Sequence, residues 1–212
     1  MARVVSLTQT KRDPNRFVLE LDTGEKLTVT VAHIADYSLF TGAQLDEETL
    51  ISLRGDTERA RLRARALRIL GSRGMSRAEM IRRLTDKGED ALAAEETADW
   101  LESIGAIDDT EFAASIVRHY AAKGFGLMRI KSELHRRGID RDLWDEALAL
   151  LPEEMEENAF EALCAILRRA PVSRDRLLRA GQAVARRGFS WSEVQSATRR
   201  YTEEFGEELD EE

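Results

Sequence analysis

Lys123–Ile139, KGFGLMRIKSELHRRGI, is the stretch that decides the fold. Leu127, Ile130 and Leu134 recur at spacings of three and four, which predicts a short amphipathic helix. Gly124 and Gly126 break the helix before it, and Gly138 supplies a left-handed C-terminal cap. Opposite the apolar stripe, Arg129 and Arg136 stand seven apart on one line, with Lys123, Lys131 and Arg137 around them. The pattern returns with a period of fifty residues. Met80, Leu84 and Gly88 become Ile130, Leu134 and Gly138, then Ala180, Val184 and Gly188; the basic residue before each glycine returns as Lys87, Arg137 and Arg187. A repeat of this length signals a stacked array of helical units.

Outward from this helix, each repeat reads as three helices. In the first, Leu62, Ala66, Ile69 and Leu70 define one face and Arg61, Arg65 and Arg68 the opposite one. Ser76 with Glu79 has capping-box spacing for a second helix ending at Gly88, and a third runs from about Leu92 to Ile104. The second repeat opens on Asp108-Asp109-Thr110-Glu111. Paired carboxylates of this kind suit a magnesium ion, but Asp108 and Glu111 also have the spacing of a helix cap, which is the preferred reading. Phe112, Ile116, Val117 and Tyr120 follow, and after Gly138 a helix capped by Asp140 carries Leu143, Trp144, Ala147, Leu148 and Leu151. Pro152 suits the first turn of the next helix. The third repeat is expected near 153–169, 173–187 and 190–205, with Ser190 and Glu193 as a capping box and Trp191 and Val194 packing inward. Arg179 and Arg186 occupy the places of Arg129 and Arg136, whereas the first repeat has Glu79 and Asp86 there.

The N-terminal segment differs. VVSLTQT, RFVLEL and KLTVTV, separated by Asp13-Pro14-Asn15 and Asp22-Thr23-Gly24, predict a small β-meander. Such a sheet needs a cover, either a helix from about His33 to Phe40 or a partner's strand. Gly42 is expected to stop that helix, Asp46 to cap another through Leu53, and Gly55 to end it. The expected divisions are residues 1–55 for the β-rich extension, 56–107, 108–152 and 153–205 for the repeats, and 206–212 for an acidic, disordered tail. The fold class is mainly α: three tandem three-helix repeats in an elongated, curved array, preceded by a β-meander with short helices.

Net charge is −8, which argues against a uniformly basic nucleic-acid binder. The charge is nevertheless segregated. Residues 59–83 hold nine arginines and one acid, Glu79, whereas 89–111 hold nine acids and no lysine or arginine. The basic rows therefore remain candidates for a polyanion or an acidic protein groove. The single cysteine, Cys164, lies in an apolar run and reads as a buried thiol. The N-terminus is too polar for a signal peptide and no apolar run approaches membrane-spanning length, so a cytoplasmic protein is expected. No Gly-Lys-Ser or Gly-Lys-Thr phosphate loop occurs, His33, His119 and His135 lack metal-site company, and no serine–histidine–acid set stands out. No catalytic residue, metal or cofactor is expected; the protein reads as a non-enzyme.

The chain resembles the RecX family of regulators of the RecA recombinase. The resemblance covers about residues 58–205 and is densest in the second repeat, through Asp108-Asp109-x-x-Phe112-Ala113, Tyr120, Gly124-x-Gly126, Ile130, Leu134 and Gly138-Ile139. Ala66-x-x-x-Leu70, Arg73, Ser76, Leu84, Gly88, Leu101 and Gly105-x-Ile107-Asp108 extend it into the first, while the third matches less well. The resemblance implies a monomeric helical protein that binds in the groove of the RecA filament on single-stranded DNA. It also implies inhibition of the filament's ATPase and strand exchange, restraining recombination, DNA repair and the SOS response. The residues expected to carry the interaction are Arg61, Arg65 and Arg68; Lys123, Arg129, Lys131, Arg136 and Arg137; and Arg179, Arg186 and Arg187. Weak direct binding to single- or double-stranded DNA stays open. Two other readings are a helix-turn-helix-like transcriptional regulator that binds DNA directly and an adaptor whose arginines only solubilise it.

Overall fold

The computed structural model describes residues 1–151, 155–170 and 172–206. It is mainly helical, with an antiparallel sheet at the N-terminus. Pro152 and residues 207–212 of the acidic tail lie outside the described residues. The chain divides into two compact units: residues 1–73 with 84–100, and 74–83 with those from 101 onward.

In the first unit the three expected strands form: β1 (Ala2–Gln9), β2 (Arg16–Leu21) and β3 (Lys26–Thr30). Leu19 pairs with Leu7 on one side and Leu27 on the other, and Phe17 with Val29, so these apolar residues share a face. After α1 (Val31–Asp36), a two-residue strand, β4 (Gln44–Leu45), pairs with Ala2 and Arg3. The order is β3-β2-β1-β4. Helix α1 ends sooner than expected, at Asp36, well before Gly42. Its cap is a Thr30–His33 box, in which Thr30 Oγ1 accepts from the His33 N–H and His33 Nδ1 from the Thr30 N–H.

The cover of the sheet comes from α2 (Glu47–Leu70), whose Leu50 and Leu53 join Val4, Leu19, Leu21, Val29 and Leu45 in one core. Each such side chain contributes about 1.5–3 kcal/mol on burial. Asp46 caps α2 as expected, accepting from the Thr49 N–H at 2.8 Å. Gly55 does not end it: the helix runs on through Thr57, Leu62 and Ala66, all buried, so the expected limit at 55/56 falls inside a continuous helix. Helical glycine costs about 1 kcal/mol relative to alanine, and the buried face on either side outweighs that. A Cβ at Gly55 would meet nothing nearer than Arg59 Nη1 at 3.6 Å. Gly55→Ala is therefore expected to raise stability by about 0.5–1 kcal/mol, read as a higher urea midpoint; a lower midpoint would contradict the continuous helix.

The remaining helices are α3 (Arg77–Thr85), α4 (Ala91–Ser103), α5 (Asp109–Ala122), α6 (Leu127–Arg136), α7 (Trp144–Leu148), α8 (Met155–Leu167), α9 (Arg174–Arg186) and α10 (Trp191–Phe205). The helix expected after Asp140 is split: Asp140 caps one 3₁₀ turn, Arg141–Leu143, and α7 adds only five residues. In the second unit Ile116, Val117, Ile130, Leu134, Ile139 and Ala147 form one core, and Phe160, Leu163, Leu167, Val184, Val194 and Tyr201 another. Cys164 is buried in the latter, and desolvation pushes its thiol pKa up. Trp191 departs from expectation, being 60% exposed. Phe189, buried two residues earlier, closes the core at that end and leaves the indole outside.

Candidate polyanion-binding interface

The first N–H groups of a helix need acceptors, and Gly126, the N-cap of α6, has no side chain to offer one. The C-terminus of α9 supplies them instead. The Gly126 N–H donates to the Arg187 carbonyl at 2.9 Å, and the Met128 N–H to the Gly188 carbonyl at 3.0 Å. Backbones this close exclude side chains. A Cβ at Gly126 would lie 2.4 Å from the Gly188 carbonyl, and one at Gly188 2.3 Å from the Arg129 nitrogen. One period earlier the same junction recurs: Ser76 Oγ donates to the Arg137 carbonyl, and a Cβ at Gly138 would lie 2.8 Å from Ala78 Cβ. Ser76 and Arg137 become Gly126 and Arg187 by the same fifty-residue step, so the repeat seen in the sequence is also a repeat of the place of contact, with a serine hydroxyl at the first junction where the second uses a backbone N–H.

The two junctions differ in charge. At the first, Arg137 binds the buried Glu133 at 2.9 Å, lies 3.8 Å from the buried Glu79, and covers the Phe112 ring. Arg136 also binds Glu133, at 2.5 and 3.0 Å. These guanidiniums, Arg136 first, hold Glu133 down to about 2. Fifty residues on, Arg129 replaces Glu79 and Ala183 replaces Glu133. The second junction consequently lacks both neutralising acids. Among the described residues no carboxylate lies within ion-pair distance of Arg129, Arg179, Arg186 or Arg187. Arg129, Arg179 and Arg186 are exposed, Arg187 half-buried, and Arg129 lies 6.0 Å over Phe125. Lys123, the C-cap of α5, is exposed, and Lys131 on α6 is half-buried.

The α2 stripe belongs to the other unit and is largely engaged. Arg61 bonds to Glu58 at 2.6 Å and to Glu89 at 2.5 Å, and Arg65 also bonds to Glu89. Arg61 first, then Arg65, lowers the Glu89 pKa. Arg68 stays solvated in the last turn of α2. Of the residues expected to form one surface, the fold brings the Arg129 backbone against Gly188, next to Arg187, whose carbonyl binds the Gly126 N–H, with Arg186 one residue back in the last turn of α9. Arg136 and Arg137 are tied to acids, and Arg61 and Arg65 likewise. The columns Glu79/Arg129/Arg179 and Glu133/Ala183 carried this distinction in the sequence.

Asp108 caps α5, accepting from the Glu111 N–H at 2.9 Å, while Glu111 turns its carboxylate to Arg118. Asp109 accepts from the Arg77 N–H at 2.8 Å, and burial pushes its pKa up. Both carboxylates therefore have structural tasks. Among the described residues no group of three or more histidine, cysteine or acidic side chains could hold a metal ion, and no helix is long and apolar enough to cross a membrane.

The Glu133 pairs carry a pH prediction. A carboxylate lowered in the folded state to about 2, from 4.5, stabilises the fold above 4.5 and loses that contribution as pH falls towards 2. Its contribution is about 2–3 kcal/mol. Glu133→Gln is expected to unfold more easily at pH 7 and to lose less stability than the parent between pH 5 and 2.5, by urea titration. Parallel pH profiles would remove Glu133 from that account.

A family model described as the second three-helix domain of RecX matches residues 108–148. The regulatory protein RecX of Xanthomonas axonopodis pv. citri (strain 306) is 36% identical over 140 residues, covering 64% of this chain and 84% of that protein. The one from Stenotrophomonas maltophilia (strain K279a) is 33% identical over 136 residues, covering 64% and 83%. A crystal structure of regulatory protein RecX superposes with a TM-score of 0.71 at 25% identity, covering 92% of this chain and 98% of that one. RecX from Lactobacillus salivarius shares the fold, with a TM-score of 0.57 at 22% identity over 68% of this chain and 96% of that one.

Proposed function

The chain belongs to the RecX family of regulatory proteins, and from that premise we propose that it is a cytoplasmic, monomeric negative regulator of RecA. It binds in the groove of the RecA filament on single-stranded DNA and inhibits the filament's ATPase, strand exchange and SOS-inducing activity. The observation that carries this reading is the α6–α9 junction, where the backbones next to Arg129 and Arg187 abut and Arg186 stands one residue back, without the acids that neutralise the equivalent α3–α6 junction. Uncompensated guanidiniums are suited to phosphate and carboxylate oxygens, the two anionic surfaces that a nucleoprotein filament offers. The second and third repeats, 108–152 and 153–205, would then engage successive parts of one groove. The ATPase belongs to the partner; this chain supplies only a binding preference for one filament state, which is sufficient to shift a population.

The test is DNA-dependent ATP hydrolysis by the cognate RecA, titrated with this protein at two salt concentrations beside its binding to bare DNA. Inhibition at concentrations too low to coat the strand is the expected outcome. Inhibition only at full coverage of the DNA would point to simple competition, and no inhibition to an adaptor.

A further inference from the structure

We propose that the α6–α9 junction and the groove beyond it bind single-stranded DNA directly, with the phosphates on Arg129, Arg186 and Arg187 and a base stacked on Trp191. This rests on the filament reading above and assigns its DNA-facing part. Trp191 is the first residue of α10, three residues beyond Gly188, and is 60% exposed. Met128, whose N–H is bonded to the Gly188 carbonyl, is 62% exposed. Two large apolar side chains therefore stand in water on residues next to or within three positions of the backbone contacts that bring Arg129 against Gly188. An open groove of about 650 Å³ runs along α10 from Ser192, the residue after Trp191, to Thr202, with Leu177 of α9 at its side and Gln195, Ser196 and Arg199 in its lining. Thr202 Oγ1 donates to the Thr198 carbonyl, while the Gln195 amide and the Arg199 guanidinium are donors suited to phosphate and sugar oxygens. The acids nearby are engaged: Glu193 accepts from the Ser190 N–H at 2.6 Å, and Glu203 lies 3.9 Å from Arg199.

Cations beside an exposed aromatic, continued by a polar groove, are what a single strand needs, because an unpaired base has a free face for stacking and each linkage carries a charge. A duplex hides its base faces. An acidic protein surface would use the arginines but leave the indole without a purpose.

The experiment follows a fluorescein-labelled oligothymidylate by anisotropy as the full-length protein is added, without recombinase. Trp191→Ala is expected to weaken binding about tenfold and Trp191→Phe by less than about threefold, the range of base–aromatic stacking. Arg129→Glu with Arg186→Glu should weaken it further and flatten the salt dependence, by about 0.7 in log–log slope for each phosphate no longer neutralised. A duplex of the same length should be insensitive to Trp191→Ala. Failure of the parent protein to bind the bare strand, or equal binding by Trp191→Ala, overturns the proposal. Filament ATPase inhibition is measured in parallel to separate the two readings. If the double reversal abolishes inhibition but leaves oligothymidylate binding intact, the junction grips protein, so the filament reading stands and this inference falls. If the double reversal abolishes oligothymidylate binding but leaves inhibition intact, the junction serves the bare strand and has no part in the filament interface; the filament reading itself falls only if the parent protein does not inhibit.

Discussion

Replacing Arg129 and Arg186 together by glutamate is expected to raise the concentration needed for half-inhibition of the RecA ATPase roughly 100-fold, about 2.7 kcal/mol. Two attractions become two repulsions at one junction, and like charges facing each other across an interface cost several kcal/mol. Both side chains are exposed, and neither has an acidic partner among the described residues. Helicity and melting temperature should therefore stay close to those of the parent. Arg136 lies on the same line as Arg129, yet it is the poorer probe. It holds the buried Glu133, so a glutamate there would set two carboxylates together and unfold what it was meant to test. Unchanged inhibition by the double reversal, in a protein of normal melting temperature, would remove the α6–α9 junction from the interface.

The second large effect concerns Gly188. Its φ is +92°, and an added Cβ would meet the Arg129 nitrogen at 2.3 Å and its Cα at 2.9 Å, both backbone atoms with no side-chain freedom to retreat. Gly124 has a similar backbone, φ +69°, but a Cβ there would meet nothing within 4 Å. The pair separates two costs. Gly124→Ala is expected to lose about 1–2 kcal/mol for the left-handed conformation alone. Gly188→Ala should lose roughly 3–5 kcal/mol, because the overlap adds to that penalty. Urea unfolding of the two variants beside the parent measures the difference. Equal losses would mean that the α6–α9 junction contributes little to the second unit's stability.

Much of this architecture could be read from spacing. The fifty-residue period rests on glycines and apolar positions whose roles are backbone geometry and core packing, and both leave periodic marks. The helix caps at Asp46, Asp108 and Ser190 were legible for the same reason: a short polar side chain bonding to the N–H three residues on is a local device. What escaped was decided at a distance. β4 is two residues long and exists only because Ala2 and Arg3 lie beside it. Gly55 looks like a terminator locally, and only the packing of Leu50, Leu53 and Leu62 carries α2 through it. Trp191 shares a helical stripe with Val194, but the exposure of the first turn depends on where Phe189 lies. The charged rows were located by sequence as positions, whereas the neutralisation of Arg137 by Glu79 and of Arg61 and Arg65 by Glu89 depends on side chains brought in from another helix and from the turn before α4; the Glu133 pairs, one turn away on α6, were open to reading from spacing alone.

The joints between second helices are made of main-chain carbonyls, N–H groups, one serine hydroxyl and glycines with no room for a side chain. A joint of that kind is nearly blind to the identity of the residues around it but strict about their number. Gly126 meets Arg187, and Ser76 meets Arg137, only while the count of residues between them is kept. Homologues of this chain can therefore exchange charge at each joint, arginine for glutamate or the reverse, without disturbing how the helices abut. A single inserted or deleted residue between two of these glycines would instead pull every later joint out of step.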